Sequence, residues 1–259
     1  MDDVLKVAVI QADILWEDSK ANLEKYQDML RGLRVHPDLI IFPEMFTTGF
    51  SVNPGANAEP MDGNSVSWLK RIAGEMNSSM AGSLIIEENR KYFNRFVLID
   101  PQGGIRHYDK RHLFRMGNEE AHYQSGNERK VFKSGEWRIC PQVCYDLRFP
   151  VWSRNRNDYD LLIYVANWPE PRRDVWKTLL RARAIENLSY CIGVNRVGRD
   201  GRGINYAGES LIVDGKGHIL NQVTADSEDI IISDLSLSDL RKFRNDFPVF
   251  RDADSFQLE

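Results

Sequence analysis

The chain has 259 residues, of which 42% are hydrophobic and 28% are charged, and this composition excludes disordered and fibrous proteins. Its 34 basic and 38 acidic residues give a net charge of −4 with both signs interspersed, which argues against a nucleic-acid-binding surface and favours a small-molecule partner. No linker-like composition divides the chain, so we expect residues 1–259 to form a single domain.

Predicted strands and helices alternate in the N-terminal part of the chain. Residues 4–10 and 38–42 are apolar and β-branched, which is typical of short buried strands. Between them, apolar residues at helical spacing predict a helix: Leu23, Tyr26, Leu30 and Leu33. The pattern then repeats, with a helix predicted over 65–76 and a strand over 80–86.

Turn sequences in the rest of the chain predict hairpins and therefore mixed sheets. Extended stretches between residues 92 and 110 flank Pro101-Gln-Gly-Gly104, and residues 211–220 fold around Asp214-Gly-Lys-Gly217 in the same way. Further strands are predicted over 137–143, 161–166, 191–197 and 229–233, and further helices over 174–188 and 237–244. About ten or more strands with only a few helices favour two packed sheets. The predicted loops, where we expect catalytic residues, are 47–64, 116–129, 168–173 and 198–208.

The three cysteines, Cys140, Cys144 and Cys191, are too few and odd in number for a disulfide framework and suit a reducing compartment. The N-terminus has no signal-peptide pattern and no apolar run approaches ~18 residues, so we expect a cytosolic protein. Alternation along the predicted strand puts Cys140 and Cys144 on one face, which leaves open a redox pair or half of a metal site. No other Cys or His pair at ligand spacing supports the metal site. Cys191 is predicted to belong to the core.

Three polar residues lie at or just past the ends of predicted strands: Glu44, Lys110 and Cys144. Strand ends border the ligand crevice in open α/β sheets, so these side chains can converge on one pocket. A free thiol with a pKa near ~8.5 is mostly protonated at neutral pH and needs a neighbouring base or cation. Glu44 provides the base, and Lys110 and the backbone N–H of Tyr145 provide oxyanion stabilisation. The trio therefore predicts acyl transfer through a thioester, from which water releases a carboxylic acid.

Each member of the trio also has a purely structural interpretation when it is taken alone. Cys144 suits a buried apolar position, Glu44 a helix cap after a proline, and Lys110 a solvated charged strand. A papain-type Cys–His pair is a further alternative, with His112 or His122 as the base. We favour a structural hydrogen bond for His112, and for His122 a role in lining or bracing the loop that contains Glu119.

Three motifs follow one another along the chain: Phe-Pro-Glu at 42–44, Asp-Lys-Arg-His-Leu-Phe at 109–114 and Cys-Tyr-Asp-Leu-Arg-Phe-Pro at 144–150. Together they resemble the Glu-Lys-Cys signature of the nitrilase superfamily of carbon–nitrogen hydrolases. The longer strings at 42–50, 108–116 and 164–169 resemble the bacterial omega-amidase branch, whose members hydrolyse 2-oxoglutaramate-type substrates. The resemblance runs from the first predicted strand to the last predicted helix.

The resemblance implies an α/β fold, a four-layer α-β-β-α sandwich of two mixed sheets, which pairs through its outer helices into a homodimer or a higher homo-oligomer. It also implies a further catalytic glutamate after Lys110, at Glu119 or Glu120. We favour Glu119, because it lies seven residues before Gly126, as in the family pattern. We expect no cofactor and no metal, because thiol acyl transfer needs neither, and no nucleic-acid or membrane partner.

An omega-amidase substrate has a 2-oxo acid head whose carboxylate suits a bidentate guanidinium partner. The candidates are Arg115, Arg148, Arg172 and Arg173. Arg148 has an alternative role, which is to brace the turn after the cysteine through Asp146, and Arg172 and Arg173 have one as helix caps. The predicted substrate-binding set is completed by Tyr145, Asn167 and Trp168.

The predicted function is hydrolysis of the terminal amide of a short 2-oxo dicarboxylate monoamide. Nitrilases, carbamoylases and N-acyltransferases share the acyl-enzyme step, so the trio does not separate these reactions. A catalytically silent binding protein is a third alternative, and the intact Glu44, Lys110 and Cys144 argue against it.

Overall fold

A computed structural model describes residues 3–222 and 224–257, which contain two large mixed sheets and a separate two-stranded hairpin. The strands of the first sheet are, in spatial order, β13 (Asp229–Ser236), β1 (Val4–Gln11), β2 (Leu39–Ile41), β3 (Ser79–Glu88), β4 (Lys91–Ile99) and β5 (Ile105–Asp109). Those of the second sheet are β12 (Leu211–Val213), β9 (Tyr190–Asn195), β8 (Leu161–Ala166), β7 (Trp137–Val143) and β6 (Phe132–Ser134). The hairpin consists of β10 (Val197–Arg199) and β11 (Asn205–Ala207). In both large sheets three central strands run parallel and the remaining pairs are antiparallel.

The two sheets pack face to face between layers of helices. The helices are α1 (Ser19–Arg31), α2 (Pro54–Asn57), α3 (Asn64–Met76), α4 (Pro150–Ser153), α5 (Arg173–Asn187) and α6 (Leu237–Asp246). Val7 of β1 and Ile163 of β8 belong to the core between the sheets, while Ala8, which points the other way, packs with α1 and α3. The outer face of the second sheet is covered by α5. The predicted four-layer α-β-β-α sandwich of mixed sheets is confirmed.

Local chemistry sets the bounds of α1. The Asp18 side chain accepts a hydrogen bond from the Ala21 backbone N–H, which caps the helix N-terminus. Tyr26 and Leu30 are buried on its inner face, as their spacing predicts. The helix ends before Leu33, which had been predicted to lie within it.

Most predicted elements are found at the expected places. The predicted loop 47–64 contains α2, the predicted loop 198–208 contains most of the β10–β11 hairpin, and two further segments differ from prediction. β7 and β8 have the predicted bounds, and β4 and β5 form the predicted hairpin. The segment 211–220 folds back with one bridge, between Val213 and Ile219, so its hairpin is shorter than predicted. The strand predicted over 191–197 ends at Asn195, because the chain there leaves the second sheet and the Val197 N–H donates to the Ala12 carbonyl at the end of β1. Among the described helices, none is both long and apolar enough for a membrane span.

Candidate active site

Four strand ends, drawn from both sheets, meet at one edge of the sandwich. Glu44 follows β2, Lys110 follows β5, Cys144 follows β7 and Asn167 follows β8. Lys110 Nζ lies 2.9 Å from Glu44 Oε1, and Cys144 Sγ lies 3.9 Å from the Asn167 carbonyl oxygen. The structure therefore brings together the three residues that the motifs singled out.

A buried ammonium group lies between two buried carboxylates. Lys110 Nζ donates to both oxygens of Glu119, at 3.1 and 2.9 Å, in addition to its bond with Glu44. All three side chains are at most 1% exposed. Glu120, the other member of the doublet, is exposed. The structure thus puts Glu119 rather than Glu120 beside the lysine.

Asn94 on β4 bridges the two carboxylates and was missed by the sequence analysis. Its Nδ2 donates to Glu44 Oε1 at 2.7 Å and to Glu119 Oε1 at 3.1 Å. Its Oδ1 accepts from Ser83 Oγ at 2.9 Å, and that hydroxyl accepts from the Met45 backbone N–H at 2.9 Å. This chain of bonds fixes both carboxylates and the backbone next to Glu44. The available signal was a polar residue inside an apolar strand, which by itself also suits a surface position.

The loop after β8 holds the second oxygen of Glu44. The Asn167 backbone N–H donates to Glu44 Oε2 at 2.8 Å, and Asn167 Nδ2 donates to the Glu44 carbonyl oxygen at 2.7 Å. The next residue is fixed in turn, because the Trp168 N–H donates to Asn195 Oδ1 at 2.7 Å. Glu44 is therefore held from both sheets, in the orientation that puts its carboxylate beside the cysteine.

Cys144 begins a 3₁₀ turn with a φ of 44°, in the left-handed region that non-glycine residues rarely adopt. Asp146 stabilises this turn. Its Oδ2 accepts from the Val143 N–H at 3.0 Å and from Tyr108 Oη at 2.8 Å, and its Oδ1 accepts from the His112 N–H at 2.9 Å. The strained backbone at the cysteine is thus tied to the segment that follows β5.

The two histidines near the motifs have partners other than the thiol. His112 Nδ1 is 2.7 Å from Asp146 Oδ1, and its ring stacks on Phe149 with centroids 3.8 Å apart. His122 is exposed, with Nε2 3.2 Å from Asn118 Nδ2. This arrangement favours Glu44 over an imidazole as the base.

The charges of the cluster act strongly on one another. Burial raises the pKa of the Cys144 thiol well above its ordinary value, and Glu44 and Glu119 raise it further, whereas Lys110 lowers it. Burial also raises the pKa of Glu119, against the opposing effect of Lys110. Burial alone would lower the pKa of Lys110, but the two carboxylates outweigh it and the pKa is raised. The resting site therefore holds a neutral thiol beside an ammonium group.

A cavity of about 480 Å³ opens at Cys144, a size typical of small-molecule sites. Its lining includes five of the seven predicted substrate-binding residues: Tyr145, Arg148, Asn167, Trp168 and Arg172. Arg115 is exposed and is not among the described residues that line the cavity. Arg173 is engaged elsewhere, because its Nε donates to Glu209 Oε2 at 3.0 Å.

Arg148 and Arg172 lie against aromatic rings in the cavity wall. Arg148 Cζ is 5.2 Å from the Trp168 ring centroid, and Arg172 Cζ is 5.5 Å from that of Phe114. The alternative that Arg148 braces the turn through Asp146 is wrong, because the partners of that carboxylate are Tyr108, Val143 and His112. The side chain of Arg172 makes no capping hydrogen bond at the start of α5.

The β10–β11 hairpin provides a part of the cavity wall that was not predicted from the sequence. The lining residues from this hairpin are Arg202, Gly203, Ile204, Asn205 and Tyr206. Their glycine content predicts a loop, but nothing local indicates that this loop lies over Cys144. The fold alone supplies that contact.

The other two cysteines are buried and free. Cys140 accepts a hydrogen bond from Gln142 Nε2 at 3.6 Å, and burial raises its pKa to about 12. Burial also raises the pKa of Cys191. Both pack in the core beneath α5. Within residues 3–222 and 224–257, no three His, Cys, Asp or Glu side chains are grouped so that they could hold a metal ion.

Known proteins are similar to this chain in sequence and in fold. Residues 6–245 match the sequence model of the family described as Carbon-nitrogen hydrolase. The chain is 46% identical over 254 residues to the Omega-amidase YafV of Escherichia coli (strain K12), covering 98% of each chain. It is 32% identical to the 2-oxoglutaramate amidase of Bacillus subtilis (strain 168), covering 95% of this chain and 96% of that one.

A solved structure extends the likeness to three dimensions. The protein XC1258 from Xanthomonas campestris, described as a CN-hydrolase superfamily protein with an arsenic adduct in the active site, is 42% identical. The structural match covers 100% of both chains and has a TM-score of 0.96. The chain therefore belongs to the carbon–nitrogen hydrolase family, and it is a hydrolase that acts on carbon–nitrogen bonds.

Proposed function

We propose that this hydrolase is an omega-amidase, which cleaves the terminal amide of a short 2-oxo dicarboxylate monoamide such as 2-oxoglutaramate. The observation that carries the proposal is one cavity with Cys144 at its base, beside a Glu–Lys–Glu cluster, and with arginines in its wall. The chemistry at the base suits an amide, and the arginines suit an acid head. The relatives named as an omega-amidase and a 2-oxoglutaramate amidase support the same substrate class.

In the first half-reaction Cys144 Sγ attacks the amide carbon while Glu44 takes the thiol proton. The carbonyl oxygen becomes an oxyanion, which the Lys110 ammonium and the Tyr145 backbone N–H stabilise. Tyr145 is in the first turn of a 3₁₀ helix, where N–H groups have no acceptor within the helix. Glu44 then passes the proton to the leaving nitrogen. The carbon–nitrogen bond breaks, ammonia leaves, and a thioester remains on Cys144.

In the second half-reaction a water molecule takes the place of ammonia. Glu44 removes a proton from the water as its oxygen attacks the thioester carbon, and it returns that proton to Sγ as the carbon–sulfur bond breaks. The product is a carboxylic acid, and the thiol is restored. One residue thus serves as base and acid in both halves.

We assign Glu119 to positioning rather than to proton transfer. Its hydrogen-bond partners are all donors, namely Lys110 Nζ, Asn94 Nδ2 and the Phe114 N–H at 2.6 Å. These donors favour the charged form of the carboxylate, in opposition to the burial that raises its pKa. Its part is to hold Lys110 where the oxyanion forms.

The acid head of the substrate lies in the outer part of the cavity. Arg148 and Arg172 provide guanidinium groups there, and Trp168 and Tyr145 provide aromatic walls. The positive charge of the two arginines attracts the carboxylate and so orients the substrate in the cavity. The terminal amide then points towards Cys144.

The test is ammonia release from 2-oxoglutaramate by the wild type and by Cys144→Ala. We expect turnover in the wild type and none above background in the variant. Cys140→Ala is the matched control, because it alters a buried cysteine of the same sheet region, and it should remain active. Full activity of Cys144→Ala would exclude the mechanism, and a preference for nitriles or N-carbamoyl compounds over 2-oxoglutaramate would exclude the omega-amidase assignment.

We also propose that the enzyme is a cytoplasmic homodimer that pairs through its outer helices. Ile185 on α5 is 49% exposed, which supports contact with a second copy there. The free cysteines suit the reducing conditions of a cytoplasm. Light scattering coupled to size-exclusion chromatography tests the dimer, and a mass that corresponds to one chain would contradict it. Cell fractionation tests the location.

A further inference from the structure

The cavity mouth is positively charged although the chain as a whole carries −4. Three arginines line it, Arg148, Arg172 and Arg202, together with the acidic Glu170. At the base, Lys110 pairs with two acidic groups, Glu44 and Glu119, so the base adds no positive charge. The arginines therefore give the mouth an excess of positive charge that attracts an anion.

The hairpin that carries Arg202 is fixed by a buried carboxylate. Asp200 is 6% exposed. Its Oδ1 accepts from the N–H groups of Arg202 and Ile204, both at 2.9 Å, and its Oδ2 accepts from Tyr206 Oη at 2.8 Å. Gly203 completes the tight turn with a φ of 81°. The backbone on both sides of Arg202 is thus held in place where the hairpin borders the cavity.

Arg202 differs from the other two arginines in what its side chain touches. The guanidinium groups of Arg148 and Arg172 already pack on aromatic rings. In the part of the chain that the structure describes, Arg202 has neither an ion-pair partner nor such a ring, and its side chain is exposed. A fixed backbone with an uncommitted guanidinium at the mouth of a cavity is suited to binding an incoming carboxylate.

We infer that Arg202 is a specificity-determining residue that binds the carboxylate of the anionic amide and thereby selects it over neutral amides of the same length. This inference rests on the proposed function. The Arg202 fork donates two hydrogen bonds to the carboxylate, and Asp200 is the positioning residue that keeps the hairpin in place for this contact.

The experiment compares 2-oxoglutaramate with 4-oxopentanamide, in which a methyl group replaces the carboxylate. Arg202→Gln should lower kcat/KM for 2-oxoglutaramate about 10- to 100-fold, mainly through KM, because a charge-assisted bidentate contact is lost. It should change kcat/KM for 4-oxopentanamide less than about twofold. Arg202→Lys should stay impaired, because an ammonium group keeps the charge but lacks the planar fork.

Arg199→Gln is the matched control. Arg199 is exposed on β10 of the same hairpin and carries the same charge, but it is not among the described lining residues. Its replacement should leave both substrates unaffected. Equal losses of kcat/KM in Arg202→Gln and Arg199→Gln, or full activity of Arg202→Lys, would show general electrostatic attraction and overturn the inference. A loss of kcat/KM in Arg202→Gln that is equal for both amides would overturn it as well. Failure of the wild type on 2-oxoglutaramate would instead overturn the proposed function.

Discussion

Replacing Glu119 with glutamine separates two effects that the buried cluster combines: the position of Lys110 and the pKa of Cys144. The Glu119 carboxylate is surrounded by donors, from Lys110 Nζ, Asn94 Nδ2 and the Phe114 backbone. A glutamine of the same shape must turn its own NH₂ group towards at least one of them. Lys110 Nζ contacts both carboxylate oxygens, so in either orientation of the amide the NH₂ group faces Lys110 and one of the other two donors.

The size of the loss follows from the contacts. A hydrogen bond to a charged group contributes about 1.5–3 kcal/mol, and an unsatisfied buried donor costs about 1–3 kcal/mol. If the loss falls on Lys110 in the transition state, kcat should drop about 10- to 1,000-fold, since about 1.4 kcal/mol corresponds to a factor of ten. The unfolding free energy should fall by less than the about 3–5 kcal/mol of a fully broken buried pair, because Glu44 still pairs with Lys110.

The same substitution should make Cys144 easier to ionise. Glu119 is one of the negative charges that raise the pKa of the thiol, so its removal lowers that pKa. The thiolate is the species that reacts with iodoacetamide. Alkylation of Cys144 in Glu119→Gln should therefore become faster at neutral pH, while amide hydrolysis becomes slower.

The assay follows alkylation by intact mass across a pH series and follows hydrolysis by ammonia release from 2-oxoglutaramate. Cys144→Ala identifies labelling of the other thiols. Glu120→Gln is the matched control, because it removes the same charge from the exposed neighbour. If the pH dependence of Cys144 alkylation in Glu119→Gln is unchanged or moves to higher pH, the electrostatic reasoning is refuted. If Glu120→Gln loses as much hydrolytic activity as Glu119→Gln, the positioning role is refuted.

Three further substitutions test the surrounding structure. Asn94→Leu removes the amide between the two carboxylates and should lower kcat and cost about 1–3 kcal/mol of unfolding free energy; an unchanged kcat would contradict this role. Cys140→Ala should keep kcat and cost about 1–3 kcal/mol through the cavity it leaves; loss of activity under reducing conditions would support a pair of catalytic cysteines instead. For Asp160, burial opposes ionisation, but the bonds from Arg138 and Arg244 outweigh it and keep the pKa of the carboxyl below its ordinary value. A lowered pKa stabilises the fold above the unfolded value of ~3.9, and this contribution is lost as pH falls. Asp160→Asn should therefore cost about 1–3 kcal/mol in urea unfolding at neutral pH, and less in acid; a deficit that is the same at both pH values would count against the ion pairs.

The strands and helices were predictable where the local pattern of apolar and polar residues indicates which side chains are buried. β8 is a short apolar run between Asp160 and Asn167, and β7 is apolar except for Arg138 and Gln142. Their bounds agree with prediction because central strands are buried on both faces. The predicted strand 191–197 was wrong at Arg196, where the chain leaves the second sheet and the side chain donates to Asp13 Oδ1 in the segment after β1. No local pattern contains that contact.

The same division applies to the site. Glu44, Lys110 and Cys144 were predictable because their residue types form a coherent chemistry and each lies at a strand end. Asn94 was not predictable, because strand alternation says which face a residue is on but not that two carboxylates lie there. Arg202 was missed for a similar reason, since it reaches the cavity only through the fold.

The most direct test of the central claim is to find the acyl group during turnover. The enzyme is mixed with 2-oxoglutaramate, quenched in acid within the first turnover, and analysed by intact mass and peptide mapping. We expect an adduct with the mass of the substrate minus ammonia on the peptide that contains Cys144, and none on Cys144→Ala, which should also release no ammonia. An acyl group on another residue, or continued ammonia release by Cys144→Ala, would contradict the assignment of Cys144 as the nucleophile.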